Sequence, residues 1–186
     1  MSSKVSQIGC DAIRSVAKPV DFPLSSENLE VVSSLVSQMR EAELVGMAAP
    51  QIGRSVRIFV TEVRKTRFRN RAPDELRVFL NPEILYYSAK TEIGYEGCGS
   101  VAETNLFGEV ERATSVQIRW QNEEGAPFEG TFEGFLARIV QHEYDHLNGI
   151  VFLDRLATTK TVLSATEFQK RLERDGMPNE GSKRAE

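Results

Sequence analysis

The stretch GFLARIVQHEYDHL, residues 134–147, contains both histidines of the 186-residue chain, His142 and His146. Four residues span slightly more than one helical turn, so the two imidazoles leave the same face of a helix and can share a metal ion. Glu143 follows the first histidine and would lie beside that ion, where a carboxylate can move a proton to and from a bound water. The alternative is a helix surface that carries these residues by chance.

The apolar pattern of the same stretch extends the helix and connects it with the core. Phe135, Ile139, His142 and His146 recur at helical spacing, so the histidines continue an apolar stripe. Gly149 is placed to end the helix, because glycine tolerates the left-handed backbone that follows many helices. We therefore predict a helix from about 134 to 147 that belongs both to the core and to a functional site.

The rest of the chain indicates an α+β domain with mostly antiparallel strands around this central helix. Helices and strands do not alternate in the βαβ manner of a parallel sheet. We assign residues 1–160 to a single catalytic domain and residues 161–186 to a C-terminal helix with a loose polar tail. The other predicted helices are 26–43 and 165–174, and the predicted strands are 56–63, 77–80, 84–87, 115–120 and 127–132.

The composition is typical of a globular enzyme. Hydrophobic residues make up 40% and charged residues 27%, as in ordinary folded domains. A net charge of −4 argues against a general nucleic-acid binder, which would be basic. No apolar run approaches the roughly 18 residues of a membrane helix, and the start lacks the apolar core of a secretory signal. Two cysteines are too few for a disulfide framework, so we expect a cytoplasmic protein without membrane contact.

A catalytic metal site requires a third protein ligand, with a fourth position left for water. No further histidine is available. Cys98 is the candidate, because the segment EGCGS, residues 96–100, places its thiol in a glycine-flanked bend that other backbone can approach closely. The alternative for Cys98 is a buried small apolar side chain. A further glycine-bounded segment, VGMAAPQIG at 45–53, is by itself most simply a tight loop between a helix and a strand.

Together and in this order, the three segments resemble the motifs of the peptide deformylases. That family is marked by a glycine-rich stretch ending in Ala-Ala-x-Gln, a Glu-Gly-Cys-x-Ser stretch and a His-Glu-x-x-His helix. Here they correspond to residues 46–51, 96–100 and 142–146. The likeness continues in LNPEI at 80–84 and FLDRL at 152–156, and it covers roughly residues 8–156.

The resemblance implies a hydrolase that removes the N-formyl group from the initiator methionine of nascent polypeptides and releases formate. Glu143 would be the general acid and base. The metal, the side-chain N–H of Gln51 and the backbone N–H of Gly99 would stabilise the negative charge on the formyl oxygen. The metal ligands implied by the resemblance are Cys98, His142 and His146.

The choice of metal depends on the ligand types and on the resemblance, whereas the substrate pocket is inferred from the apolar stripe beside the ligands. Sulfur with two imidazoles favours zinc on ligand type alone, whereas the family implies Fe²⁺ as the working ion, with Ni²⁺, Co²⁺ or Zn²⁺ able to occupy the site. For the substrate we assign Val45, Gly46, Phe135 and Ile139 to the pocket. The alternative for the apolar members of this set is plain core packing.

Two positions depart from the family pattern. The chain has Leu44 where the family usually has glycine, and Gly99 where it usually has leucine. Gly99 keeps its N–H but loses side-chain packing, so we predict a less preorganised site and a broader substrate range. Leu44 either narrows the entrance or repacks locally.

Two other functions are compatible with parts of the pattern. A zinc peptidase of the His-Glu-x-x-His type usually takes a later histidine or glutamate as third ligand. No histidine follows residue 146, and the acidic residue of 152–156 belongs to the deformylase pattern. A deformylase-like protein with weak or altered acyl specificity, or one that only binds acylated N-termini, is the second alternative.

The predicted partners are N-formylmethionyl nascent peptides, and we expect a monomer. The run RKTRFRNR at 64–71 is a basic cluster in an acidic chain. Most such runs are solvated loops. The alternative is a transient, salt-sensitive contact with ribosomal RNA.

Overall fold

The computed structural model describes residues 5–65 and 72–175, and these contain four α-helices and eight strands. The helices are α1 (Asp11–Arg14), α2 (Ser26–Glu41), α3 (Gly134–Leu147) and α4 (Ala165–Asp175). The strands are β1 (Gly46–Ala48), β2 (Ile58–Thr61), β3 (Arg77–Tyr87), β4 (Thr91–Gly97), β5 (Leu106–Ala113), β6 (Ser115–Gln121), β7 (Pro127–Glu133) and β8 (Leu163–Ser164). No described helix is both long and apolar enough to cross a membrane.

The strands form two antiparallel sheets. One sheet has five strands in the order β1-β2-β3-β6-β7, and the other has three in the order β4-β5-β8. The hairpin of β6 and β7 pairs Ser115 with Glu133 and Gln121 with Pro127. The predicted α+β class with antiparallel strands is confirmed, and the predicted strands 115–120 and 127–132 lie in this hairpin.

Strand β2 is buried on both faces, because a helix packs on each side of the large sheet. Phe59 packs with Val140 of α3, whereas Ile58 and Val60 pack with Leu35 of α2. Successive side chains of a strand point to opposite faces, so α2 and α3 lie on opposite sides of the sheet. This arrangement places the histidine helix α3 directly against the centre of the sheet.

Helix α2 ends earlier than predicted. It ends at Glu41 rather than at residue 43, where Glu43 adopts a φ of 55°. Its buried face consists of Val31, Val32, Leu35 and Met39. At its start the Ser25 side chain accepts a hydrogen bond from the Asn28 N–H at 3.2 Å, an ordinary N-cap.

The predicted strands 77–80 and 84–87 are one strand, β3. Its pairing with β6 shifts register between Leu80 and Glu83. Asn81 at this point has a φ of 48°, and Pro82 lacks the N–H that a regular ladder requires. The Asn81 side chain instead bonds the backbone N–H and carbonyl of Val20, at 2.8 Å each. The sequence pattern indicates an interruption at Asn81 and Pro82, but it does not indicate that the strand continues beyond them.

Strands β4 and β5 were not predicted, and the segment 45–53 was wrongly interpreted as loop alone. Its residues Gly46–Ala48 form β1, which pairs antiparallel with β2. In β4 two glycines interrupt the apolar alternation. A Cβ on Gly94 would lie 3.0 Å from the Arg138 guanidinium, and one on Gly97 would lie 2.6 Å from the Phe107 ring. These glycines permit close contacts and do not mark turns.

Helix α4 agrees with the predicted 165–174, and it packs on the small sheet through Phe168, whose ring stacks on Phe107 at 4.2 Å. The polar end expected to be loose, 178–186, lies outside the described residues. Of the basic run at 64–71, only Arg64 and Lys65 are described.

Candidate metal centre

Helix α3 is fixed at its C-terminal end and near its centre. Asn148 is its C-cap and Gly149 follows with a φ of 72°, as expected for that glycine. A Cβ on Gly149 would also lie 2.5 Å from the carbonyl oxygen of Arg14. Between the ends, the Gln141 amide bonds both the backbone N–H and the carbonyl of Ala113 in β5, at 3.2 and 2.9 Å. The helix is thereby tied to the small sheet next to the histidines.

Cys98, His142 and His146 meet at one point. Their ligand atoms all lie within 4.8 Å of one another. The Sγ atom of Cys98 is 3.2 Å from Nε2 of His146. The two histidines come from successive turns of α3, and the cysteine comes from the bend that follows β4. The predicted ligand set is therefore brought together by the fold.

The cysteine is held as a good metal ligand. Its sulfur accepts hydrogen bonds from the Ser100 N–H at 3.4 Å and from Nε2 of Gln51 at 3.7 Å. Burial alone would raise the pKa of the Cys98 thiol, but the neighbouring imidazoles of His146 and His142 outweigh it and lower the pKa to about 5. The thiol is thus ready to lose its proton near neutral pH, as metal binding requires.

Glu96 orients the first histidine. Its Oε2 lies 2.9 Å from Nδ1 of His142, which leaves Nε2 to face the convergence point. Such carboxylate–histidine pairs fix the ring orientation and tautomer of metal ligands. Burial would raise the pKa of Glu96, but hydrogen bonds from His142 and Arg112 hold it far below its usual range. Glu96 was not among the predicted site residues, although it begins the EGCGS motif.

A buried group of charges supports Glu96 from behind. Arg112 donates two hydrogen bonds of 2.9 Å to Glu96 and one of 2.6 Å to Asp145. Arg138 donates a further bond of 2.9 Å to Glu96, and Arg155 donates one of 2.6 Å to Asp145. The Arg112, Glu96 and Asp145 side chains are at most 7% exposed. We call these five residues the buried charge cluster.

Glu143 lies beside the ligands with a carboxyl group ready for proton transfer. It is 4% exposed, and its Oε2 has no hydrogen-bond partner among the described residues. Burial raises the pKa of Glu143 to about 7, close to the value that suits a general base at neutral pH. The carboxyl group lies against Gly46, where a Cβ would overlap it. Glycine at position 46 therefore makes room for the glutamate.

Gln51 presents its amide N–H to the same point. The side chain is buried within the 3₁₀ helix Ala49–Ile52. Its Oε1 accepts a hydrogen bond of 2.8 Å from the Ala48 N–H, and Nε2 faces the Cys98 sulfur at 3.7 Å. Because the oxygen is engaged by the backbone, the donor end of the amide is the one directed into the site.

An open pocket lies over these groups. Nine of the ten predicted site residues line it, and the tenth, His146, lies fully buried behind them. Val45 and Ile139 also pack together in a small apolar cluster, so they serve both the core and the pocket wall. The lining residues outside the predicted set are Leu44, Tyr95, Glu96, Gly97 and Arg138. Leu44 was noted as a departure, and Arg138 carries no local signal of a pocket.

The donor set fits a divalent transition-metal ion. One sulfur and two imidazole nitrogens converge, which is a three-ligand set with a position left open toward the pocket. Glu143 lines the pocket beside these ligands, and its Oε2 has no hydrogen-bond partner within the part of the chain that the structure describes. These features together describe a site for metal-assisted hydrolysis.

Comparisons with known proteins give one consistent result. A sequence model described as polypeptide deformylase matches residues 2–162. The peptide deformylase of Pseudothermotoga lettingae is 39% identical over 160 residues, covering 86% of this chain and 86% of that protein. That of Chromobacterium violaceum is 36% identical, covering 87% and 90%.

Solved structures agree with these relatives. A class I type b peptide deformylase from Acinetobacter baumannii superposes with a TM-score of 0.77 at 37% identity, covering 83% of this chain and 98% of that one. The same enzyme with Met-Ala-Ser bound gives a TM-score of 0.76 at 38% identity, covering 81% and 97%. The peptide deformylase of Thermotoga maritima gives 0.72 at 34% identity, covering 84% and 98%.

Proposed function

The chain belongs to the polypeptide deformylase family, and from this premise we propose how its own residues carry out the family's reaction. That reaction removes the N-formyl group from the initiator methionine of nascent polypeptides and releases formate. The observation that carries the assignment of residues is the meeting of Cys98, His142 and His146 beside the buried Glu143.

We propose that Cys98, His142 and His146 hold one divalent ion. When bound, the ion supplies the Lewis acidity that makes water reactive toward a carbonyl near neutral pH. Fe²⁺ is the proposed ion in the cell, and Zn²⁺, Ni²⁺ or Co²⁺ are proposed to bind the same ligands. The lowered pKa of Cys98 and the carboxylate behind His142 support this assignment.

Glu143 is the proposed general base and general acid. It takes a proton from the water that attacks the formyl carbon, and returns a proton to the amine as the formyl C–N bond breaks. Water thus adds its oxygen to formate and its proton to the new N-terminus. A pKa near 7 and a carboxyl oxygen with no hydrogen-bond partner among residues 5–65 and 72–175 support both roles.

Gln51 and Gly99 are the proposed donors to the formyl oxygen. The oxygen gains negative charge as water attacks, and fixed N–H groups stabilise that charge. One such donor typically contributes about 3–4 kcal/mol to lowering the barrier. The hydrogen bond from Ala48 to Gln51 holds the amide in the required orientation before substrate arrives.

The substrate's methionine side chain is proposed to lie against Val45, Phe135 and Ile139, which line the pocket next to the ligands. The Met-Ala-Ser complex of the Acinetobacter baumannii relative supports binding of short N-terminal peptides. Gly46 serves the site by leaving room for Glu143.

We further propose a single catalytic domain over residues 1–160 with the C-terminal segment 161–186 attached, a monomeric enzyme, and action in the cytoplasm where formylated chains emerge. A transient ribosome contact through 64–71 stays a proposal, and residues 66–71 lie outside the described part of the chain. Arg64 is engaged within the protein, so it would contribute little to such a contact.

Formate release from a formyl-methionyl peptide tests this proposal. Glu143→Gln keeps the shape of the side chain but cannot accept the proton, so we expect it to retain the metal and lose at least about 100-fold in kcat. Glu133→Gln, an exposed change just before the same helix, is the control. Metal content is measured after anaerobic preparation. Retained turnover in Glu143→Gln would remove its assigned role, and binding of the peptide without formate from the wild type would favour the binding-only alternative.

A further inference from the structure

Leu44 covers the bare backbone of Gly99. A Cβ built on Gly99 would lie 3.0 Å from Cδ1 of Leu44 and 3.5 Å from Cγ1 of Val5. Gly99 does not have a positive φ, so its backbone conformation does not require glycine. A side chain at this position is restricted by the space that Leu44 and Val5 occupy. Leu44 and Gly99 both line the pocket. The leucine therefore fills the volume that a side chain at position 99 would otherwise occupy.

The backbone of Leu44 is held in place by an arginine from across the sheet. Nη2 of Arg64 donates to the carbonyl of Leu44 at 2.7 Å and to that of Met39 at 3.0 Å. The N–H of Leu44 bonds the same Met39 carbonyl at 2.9 Å. Glu62 faces the arginine from the other side, with an ion pair of 3.1 Å. The first residue of the basic run thus fixes the loop between α2 and β1.

The Gly99 bend is held from its other side by the N-terminal segment. Nε2 of Gln7 donates to the Gly99 carbonyl at 2.8 Å, and its Oε1 accepts from the Glu103 N–H at 3.1 Å. The Ile8 N–H donates to the Ser100 carbonyl at 2.8 Å. The bend therefore has packing and hydrogen bonds on both sides, which the missing side chain at position 99 did not lead us to expect.

We propose that Leu44 is a positioning residue that supplies, from the loop before β1, the side chain that position 99 lacks. It presses on the Gly99 backbone and so keeps the Gly99 N–H directed at the formyl oxygen, a role that rests on the proposed function. The two departures from the family pattern are then one exchange between neighbouring positions. Changes at 44 and 99 must consequently depend on each other.

A double-mutant cycle tests this dependence. Leu44→Gly removes the support and should lower kcat about 10-fold with KM changed less than about twofold, because the residues proposed to contact the methionine side chain, Val45, Phe135 and Ile139, are unchanged. Gly99→Leu forces the new side chain against Leu44 and should also lower kcat about 10-fold. The double variant gives the leucine at 99 its space and should return to within about threefold of the wild type, a coupling within the range seen for contacting residues.

Arg64 provides an independent arm of the experiment. Arg64→Met should lower kcat by part of the loss seen in Leu44→Gly. Arg64→Lys should lower kcat less than Arg64→Met does, because lysine can still donate to the Leu44 carbonyl. Arg54→Met is the control, since Arg54 is an exposed arginine paired with Glu27. A double variant reduced by the product of the single losses, about 100-fold, would overturn the proposal.

The same cycle, measured by the free energy of unfolding, separates the packing of Leu44 against Gly99 from the effect of that packing on catalysis. If the wild type releases no formate, the proposed function fails, yet the coupling of Leu44→Gly and Gly99→Leu in stability still tests the packing. If the wild type is active and stability couples while kcat adds, the contact exists but does not position the donor, and the proposal is overturned. Coupling in both quantities is the expected result.

Discussion

Arg112 is the centre of the buried charge cluster, and replacing it with methionine tests whether the cluster holds the site together. Three of its nitrogens are engaged, two with Glu96 and one with Asp145, at 2.6–2.9 Å. Methionine has a similar length and no charge. The change would leave two carboxylates buried without the cation between them, one of which orients the His142 ring.

The expected loss in free energy of unfolding can be estimated from the ion pairs that remain in the variant. Removing one partner of a buried ion pair costs about 3–5 kcal/mol, because the other charge stays buried and uncompensated. Arg138 still reaches Glu96, and Arg155 still reaches Asp145. The loss should therefore lie at the lower end, about 3 kcal/mol. At about 2–4 °C per kcal/mol for a chain of this size, the melting temperature should fall by about 6–12 °C.

Denaturant unfolding of the metal-loaded protein measures this loss, with Arg119→Met as the matched control. Arg119 lies on β6, the next strand along the chain, is 54% exposed and approaches its carboxylate partners only to 3.7 and 3.9 Å. Exposed pairs of this kind contribute about 0–1 kcal/mol. Arg112→Met should also weaken metal binding about tenfold or more, because Glu96 loses its main support. A loss in Arg112→Met within 1 kcal/mol of that in the control would refute the reasoning.

Three further perturbations have defined outcomes. Chelation of the ion should abolish formate release and lower the melting temperature, and added Fe²⁺ or Zn²⁺ should restore both, because only the folded chain assembles the ligands. Asp154→Asn should cost up to about 1 kcal/mol at pH 7, because the amide oxygen can still accept the Val151 N–H but the charge that pairs with Arg14 is lost. Burial raises the pKa of Asp154, but the hydrogen bonds from Arg14 and from the Val151 N–H outweigh burial. The pKa of Asp154 therefore lies below its usual value. Its contribution is therefore complete above about pH 4 and lost as pH falls below it, so denaturation curves should converge there. Arg171→Met should raise KM about threefold, because Arg171 bonds the hydroxyl of the pocket residue Tyr95 at 2.5 Å.

Each of these expectations has a contrary result. Full activity after verified removal of the metal would contradict the first. A difference between wild type and Asp154→Asn that is the same at pH 3 and pH 7 would contradict the second. For the third, Lys170→Met is the control, because Lys170 lies on the same helix and pairs only with the exposed Glu167 in the described contacts. An equal KM change in both variants would show that Arg171 acts through helix α4 in general.

The centre of the site could be predicted because its signals are local. His142 and His146 are separated by one helical turn, and their helix has an apolar stripe and a glycine just after its end. Cys98 required one more step, the need for a third ligand. Glu143 followed from its place next to His142 on the same helix, whereas Gln51 followed from the resemblance, and the fold brings both to the same pocket.

The support of the site could not be predicted, because its partners are distant in the sequence. Arg112 and Asp145 are 33 residues apart, and Arg138 and Glu96 are 42 apart. Nothing in a run of charged residues on a strand distinguishes an arginine that faces solvent from one that faces a buried carboxylate. Strand β5 shows this directly, since Arg112 is 5% exposed while Glu111, one position earlier, is exposed.

Glycine was the residue type whose role was hardest to predict from the sequence. A glycine in a single sequence suggests a turn, because it permits a positive φ. Gly46, Gly97 and Gly99 have no positive φ, and each instead lets another side chain approach its backbone: Glu143, Phe107 and Leu44 respectively. All three surround the point where the ligands meet. Each of these glycines faces a side chain from a different segment, so a larger residue at the glycine position would displace that side chain. At position 99 the displaced side chain is Leu44, and Leu44→Gly removes it. The double change at 44 and 99 therefore relieves the overlap that Gly99→Leu alone creates.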